Sequence, residues 1–270
     1  MFPTVGAGVI PFVKVSSGLS QGDLEGVKEF YTDSTVQPFF YDGPPPLYAT
    51  IVSELIASLK PSSVLEFGCC AGRNLDLLRR RLGKARLVGL DVNRTAIDAG
   101  RRAFGLDLRV ADESALANIP NSSFDVSFTV SVLDHIALPQ QTIAKLSDIT
   151  RRFVITYEIC NDQTGKIEAM QDAGGNIVDG YPFSYFHDYR SLFAKAGCWL
   201  LLDAALPAFS GSLGEFYRLQ VYCRQQRDFG GTILRSVSAA APPASPLQRG
   251  LNLLRKHASR FKRFRSHLKP

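Results

Sequence analysis

Apolar residues recur along this chain with two periods that take turns. Leu47, Ile51, Val52, Leu55, Ile56 and Leu59 trace one helical face between the break at Gly43-Pro44-Pro45-Pro46 and Pro61. Short apolar runs then alternate with helical stretches. The runs read as strands at Ser63–Phe67, Arg86–Leu90, Asp107–Val110, Phe124–Val130 and Phe153–Tyr157. The stretches between them read as helices at Asn74–Leu82, Arg94–Phe104 and Pro139–Thr150, with a short piece at Glu113–Ala117. A further short helix fits Leu24–Tyr31. This alternation implies right-handed crossovers and a parallel sheet covered on both faces.

The end of the pattern departs from that rule. Tyr189–Ala196 reads as a helix, but Trp199–Ala204 and Tyr217–Arg224 are strands with no helix between them. Two strands joined by a loop predict an antiparallel hairpin at the sheet edge. The expected fold is therefore α/β and doubly wound, a mainly parallel seven-stranded sheet with a terminal antiparallel hairpin.

With 270 residues and 45% hydrophobic content the chain can bury one sizeable core. It has no apolar run of about 18 residues, the length that spans a bilayer. Met1–Val13 is apolar but lacks a basic leader and is broken by Pro3, Gly6, Gly8 and Pro11, so no secretory signal is expected. The five cysteines include no Cys-x-x-Cys pair, which suits reduced thiols in the cytoplasm.

The net charge of +6 is unevenly placed. Residues 247–270 hold eight Lys or Arg and no acid; removing those eight from 31 leaves 23 basic against 25 acidic residues, a net of −2. In that tail Leu247, Leu251, Leu254, Ala258, Phe261, Phe264 and Leu268 recur at helical spacing. A basic amphipathic helix suits an anionic membrane surface; a docking helix for a partner is the other reading, and nucleic acid is not favoured. The expected segmentation is an extension or cap at 1–46, the α/β domain at 47–225, a linker at 226–246 and the tail helix at 247–270. The expected location is cytoplasmic, with the tail able to reach the inner membrane surface.

The most informative local pattern is Val64-Leu65-Glu66-Phe67-Gly68-Cys69-Cys70-Ala71-Gly72-Arg73-Asn74. It describes a buried strand, a small-residue turn and a helix whose amino end points at a ligand. A dinucleotide fingerprint would need Gly at 68, 70 and 73, where this chain has Gly68, Cys70 and Arg73. The Glu66-x-Gly68-x-x-x-Gly72 spacing instead resembles motif I of class I S-adenosylmethionine-dependent methyltransferases. Asp91 at the end of the second strand, Asp112 past the third, and the segments Ser123–Val126 and Ser131–Ile136 match that family in order. The resemblance covers about residues 47–225 and implies S-adenosyl-L-methionine as cofactor. It assigns Glu66, Gly68, Cys70, Gly72, Asp91, Asp112 and Glu113 to its site, with Asp91 on the ribose hydroxyls, Asp112 on the adenine amino group and Glu113 near the ring. A helix cap is the plainer role for Asp91, a turn for Asp112, and strand–helix packing for the two glycines. Cys70 replaces the family's middle glycine and carries a cost if its φ is positive.

The donor's sulfonium already makes the methyl electrophilic, so the protein must align an acceptor and manage one proton. His135, in the turn after the fourth strand, and His187 with Asp188, in Tyr185-Phe186-His187-Asp188-Tyr189, are the expected catalytic residues. His187 also fits a loop brace and Asp188 a helix cap. Tyr157 and Glu158 at the fifth strand's end are secondary candidates. Asp134, Asn161 and Asp162 fall near the ligand positions of metal-dependent catechol methyltransferases, but the surrounding sequence does not resemble that group and no metal is expected. Gly72-Arg73-Asn74-Leu75 and the Tyr185–Tyr189 segment look like methyltransferases of surface or lipid-linked glycan biosynthesis, which implies a glycan or glycolipid hydroxyl as acceptor. The alternatives are a small aromatic or lipid-soluble metabolite and a non-catalytic binding module.

Overall fold

Strand Ser63–Phe67 is buried at all five positions, and the rest of the fold is arranged about it. In the computed structural model the described residues are 13–16, 31–32, 43–160, 164–171, 177–179, 183–206 and 216–224. All belong to one unit, Met1–Asp228. The expected linker and tail helix lie outside the described residues, as does Leu24–Tyr31 except for Tyr31, which with Thr32 is helical.

In chain order the elements are β1 (Val13–Ser16), α1 (Leu47–Ser58), β2 (Ser63–Phe67), α2 (Arg73–Leu82), β3 (Arg86–Asp91), α3 (Arg94–Phe104) and β4 (Asp107–Val110). They continue with β5 (Phe124–Val130), α4 (Gln140–Ile149), β6 (Thr150–Ile159), β7 (Gly165–Gln171) and β8 (Ile177–Asp179). The last are β9 (Tyr185–Phe186), α5 (Tyr189–Lys195), β10 (Trp199–Ala205) and β11 (Tyr217–Cys223). Single 3₁₀ turns at Glu113–Asn118 and Leu133–His135 follow β4 and β5.

Seven strands form the main sheet in the order β10-β11-β6-β5-β2-β3-β4. β2 pairs in parallel with β3 and β5, β3 with β4, and β5 with β6; β11 runs antiparallel to both β6 and β10. The expected architecture is therefore the observed one, with the hairpin's second strand inserted inside its first. On one face Tyr157 of β6 stacks between Tyr48 of α1, 5.2 Å between centroids, and Tyr217 of β11, 4.9 Å away. On the other, Phe193 of α5 stacks on Tyr222 of β11 at 4.0 Å, beside Ile143, Leu146 and Ile149 of α4. Asp125 fixes the entry to β5, accepting from the Ser62 N–H and hydroxyl and pairing with Arg151.

Three features differ from the sequence expectation. The buried face of α1 is Tyr48, Ala49, Val52, Ser53 and Ile56, one position off the purely apolar stripe, and Leu47 is 66% exposed. β6 begins at Thr150, where the chain leaves α4 without a loop; the adjacent Arg151 and Arg152 hide the start of an otherwise buried strand. A second sheet, β1-β7-β8 with β9 on β7, occupies stretches to which the sequence pattern assigns no element. Its first strand comes from the opposite end of the chain, a pairing that local period does not reveal.

Glycine permits the closest approach in the fold. A Cβ on Gly100 of α3 would lie 2.1 Å from the Ala71 carbonyl oxygen, so the helix rests directly on the turn between β2 and α2. Alanine is the better helix former by about 1 kcal/mol, whereas overpacking against backbone costs about 1–3 kcal/mol. Gly100→Ala should therefore lower stability in urea unfolding; a gain would show that the turn yields to the methyl.

Candidate cofactor and acceptor site

The turn from β2 to α2 is held by its neighbours rather than by its own sequence. Gly68 N–H and Cys69 N–H both donate to the Leu90 carbonyl at the end of β3. Asp91, the next residue, accepts from Cys70 N–H through Oδ2 at 2.7 Å and from Asn93 N–H through Oδ1 at 2.8 Å. Cys70 adopts φ +49°, so the expected cost of a side chain there is present, and the charge-assisted bond to Asp91 offsets it. Gly68 and Gly72 have φ +75° and +79°. Cβ atoms on them would meet Val132 at 2.2 Å and Leu108 at 2.9 Å, so packing fixes both glycines as well as the turn.

Beneath this turn lies Glu66, wholly buried. Its Oε1 accepts from Asn74 Nδ2 at 2.7 Å, and Oε2 has no partner. Burial pushes its carboxyl up to about 8; the Asn74 hydrogen bond opposes this only in part. A cleft lined by Tyr48, Glu66, Gly68, Cys70, Arg73 and Asn74 opens above it. An orphaned acid oxygen suits an ammonium group, and the half-buried Asp91 carboxylate is an acceptor suited to a hydroxyl. These donor and acceptor sets fit the amino-acid and ribose ends of S-adenosylmethionine. When bound, that cofactor supplies an electrophilic methyl group.

A second acidic centre lies past the ends of β5 and β6. Glu158 is wholly buried, and its Oε2 accepts from Val132 N–H at 2.9 Å and Asp134 N–H at 3.4 Å. Asp134 is 2% exposed and accepts from Ser131 Oγ at 3.4 Å, which in turn meets Tyr217 Oη at 2.7 Å. Glu158 Oε1 and Asp134 Oδ1 lack any donor, although the two side chains are in hydrogen-bond contact. One proton shared by the pair satisfies both. Burial raises both carboxyls, and the Asp134 charge holds Glu158 as the protonated member.

His135 stands beside this pair. Its Nδ1 lies 3.1 Å from the Phe183 carbonyl oxygen, which can only accept, so Nδ1 carries the proton and Nε2 the lone pair. Nε2 is 3.7 Å from Asp134 Oδ2, and the Tyr31 ring covers one side of the imidazole at 4.8 Å. Tyr31 is tied in turn to the Asp91 turn, its carbonyl accepting from Asn93 Nδ2 at 2.9 Å. Burial lowers the His135 pKa and keeps the ring neutral at rest.

The other expected residues are placed differently. His187 is 2% exposed and donates through Nε2 to the Ile136 carbonyl at 2.9 Å; burial pushes it down to about 4. It braces the turn that carries His135. Asp188 caps α5, accepting from Ser191 N–H and hydroxyl. Asp112 likewise caps its 3₁₀ turn through Ser114, and Glu113 is exposed beside it. Tyr157 donates to the Leu206 carbonyl from within its stack. Among the described residues no group of three His, Cys, Asp or Glu could hold a metal ion; Asn161 and Asp162 lie outside them. Sequence reasoning missed Tyr48, Arg73 and Asn74 as site residues. The polar pair directly after Gly72, where helix N–H groups face a ligand, was the available signal.

Comparison with known proteins agrees with this geometry. Residues 65–153 match the family described as Methyltransferase domain. A search of curated proteins finds no match. Among solved structures, a 1,6-didemethyltoxoflavin N1-methyltransferase from Burkholderia thailandensis, bound to 1,6-didemethyltoxoflavin and S-adenosylhomocysteine, superposes with a TM-score of 0.54. It is 12% identical, over 81% of this chain and 97% of its own. The [4+2]-cyclase SpnF superposes with a TM-score of 0.51 at 14% identity, over 72% and 85% of the two chains. An O-methyltransferase family protein, also from B. thailandensis, gives 0.50 at 13%, over 66% and 55%. At these identities the likeness establishes the fold.

The raised Glu66 carboxyl makes a prediction with a definite sign. The fold favours its protonated form, so its contribution to stability is lost as pH rises from the ordinary carboxylate range through about 8. Glu66→Gln should melt higher than the parent at pH 9, with a smaller gap at pH 5. The same change should weaken S-adenosylhomocysteine binding, since a ligand ammonium favours the ionised acid. Parallel melting curves for the two proteins across that range would refute the assignment.

Proposed function

We propose that this S-adenosylmethionine-dependent methyltransferase domain delivers its methyl group to a hydroxyl of a glycan or glycolipid, with His135 as the general base. The observation that carries the reading is the proton-handling apparatus behind His135. An alcohol acceptor sheds a proton that its ordinary acidity does not release near neutrality, whereas an amine needs less help. His135 offers its Nε2 lone pair beside Asp134, and the carboxylate stabilises the imidazolium that forms. Neutral Glu158 hydrogen-bonds Asp134 and holds the pair at one negative charge, and Ser131 and Tyr217 steady the same carboxylate. The acceptor oxygen attacks in line, its O–H proton passes to His135, and S-adenosylhomocysteine leaves.

The choice of a glycan rests on the resemblance carried by Gly72–Leu75 and Tyr185–Tyr189 and on the basic amphipathic pattern of 247–270. Asp112 and Glu113 complete the cofactor site at the adenine end in this reading, and His187 with Asp188 positions the loop that backs His135. The tail would hold the enzyme on an anionic membrane surface, where lipid-linked acceptors reside. No helix among the described residues is long and apolar enough to cross a membrane.

Isotope-labelled donor incubated with extracted lipids, glycans and small metabolites should label the glycolipid or glycan fraction. Label appearing only in small aromatic products would replace this acceptor class, and no transfer at all would favour a binding module. On the labelled acceptor, His135→Ala should lower turnover by about 10²–10⁴-fold while S-adenosylhomocysteine affinity stays within about threefold. Removing 247–270 should abolish sedimentation with anionic vesicles without changing cofactor affinity; unchanged sedimentation would end the membrane proposal.

A further inference from the structure

We propose that the cavity between α5 and the paired ends of β6 and β11 is a second binding site, which takes the oxyanion of a small ligand, a carboxylate or a phosphate. The cavity holds about 200 Å³, far more than one water requires. Among the described residues it shares no lining residue with the cleft above Glu66. Occupation of it requires neither the cofactor nor the methyl acceptor.

Its donors come from β11. Arg218 and Gln220 are two positions apart, so their side chains leave the same face of the strand. Gln220 is 1% exposed, and its Oε1 accepts from Tyr222 Oη at 2.8 Å and from Cys160 Sγ at 3.8 Å. Both Nε2 protons are left without an acceptor among the described residues, in a side chain that lines the cavity. A buried donor with no partner is costly, and a ligand oxygen relieves that cost. Arg218 meets Asp203 of β10 through Nε, and its two Nη groups make no hydrogen bond among the described residues.

The charges favour an anion. Arg218 and Arg190 share the single Asp203 carboxylate, so these three groups carry one positive charge in excess. Asp188, the other acid beside the cavity, spends its two oxygens on the Ser191 N–H and hydroxyl. Cys160 and His187 add no charge: burial raises the thiol and pushes the imidazole down to about 4. A guanidinium fork and a buried amide on one wall match two oxygens of a carboxylate or phosphate.

Nuclear magnetic resonance titration of the full chain at constant ionic strength tests this with glucuronate, inorganic phosphate and uncharged glucose. The Gln220 Nε2 signals, assigned by their absence from Gln220→Glu, should shift saturably with at least one anion and not with glucose. Tighter binding of glucuronate would assign the site to a saccharide acid, and tighter binding of phosphate to a phosphate ester or the free ion. Gln220→Glu keeps an acceptor for Tyr222 and Cys160 but removes the donor. By calorimetry it should weaken the anion by about tenfold or more, as should Arg218→Met, while Arg218→Lys keeps part of the affinity. S-adenosylhomocysteine affinity should stay within about twofold in all three variants. The proposal is overturned by the absence of saturable shifts with either anion, by equal shifts with glucose, or by unchanged anion affinity in Gln220→Glu and Arg218→Met. A parallel loss of S-adenosylhomocysteine binding would also overturn it, by making the two cavities one site. Melting temperatures of the variants separate such losses from misfolding.

Discussion

The Asp91 carboxylate ties together the two turns that frame the cleft. One oxygen takes the N–H of Cys70, the other the N–H of Asn93, so the β2–α2 turn and the β3–α3 turn share one rigid bracket. Cys70 tolerates its left-handed backbone because of that bond. Gly68 and Cys69 lean on the carbonyl one residue earlier, and Gly100 brings α3 against Ala71. The cleft above Glu66 inherits its shape from these contacts, which explains how a motif lacking its middle glycine still forms a regular turn. Rigid elements position a ligand site more closely than a free loop can.

Buried and half-buried acids cluster along the carboxyl edge of the sheet. Glu66, Asp91, Asp134 and Glu158 all sit at strand ends or in the turns after them, and burial raises the pKa of each. They are kept from costing the full desolvation penalty in different ways. Asp91 is repaid by backbone donors, the Asp134–Glu158 pair by sharing a proton, and Glu66 by remaining largely neutral until a cation arrives. This edge is where ligands bind in open α/β sheets. The sulfonium cofactor suits an environment with spare acceptors.

Much of this was legible in the sequence because it is local. The strands β2, β4 and β5 and helix α3 have the bounds that periodicity gives. Glu66, Gly68, Cys70, Gly72 and Asp91 all meet around one turn because they are joined by short links between adjacent parallel strands. What was illegible depends on distant partners. Whether Asp112 and Asp188 act as caps, or His187 braces a loop, is decided by Ser114, Ser191 and the Ile136 carbonyl. The β1–β7 ladder and the position of Tyr48 over the cleft likewise require the tertiary fold. Glu158 was visible as a strand-end acid, but Asp134 was visible only as a residue near a metal-ligand position and not as its partner.

The place of β11 bears on how the molecule is made. The chain emerges with β2 to β6 complete, yet the outer edge of β6 has no partner until Tyr217–Cys223 arrives, and β10 reaches the sheet only through β11. A nascent chain therefore carries an open strand edge for the whole of residues 160–216, a hazard for pairing with a neighbouring copy. The same late strand brings Tyr217, whose hydroxyl meets Ser131 beside Asp134. Closing the edge and completing the contacts of the turn after β5 are one event, so a molecule stalled before that step would expose its open seam and lack that turn's support at once.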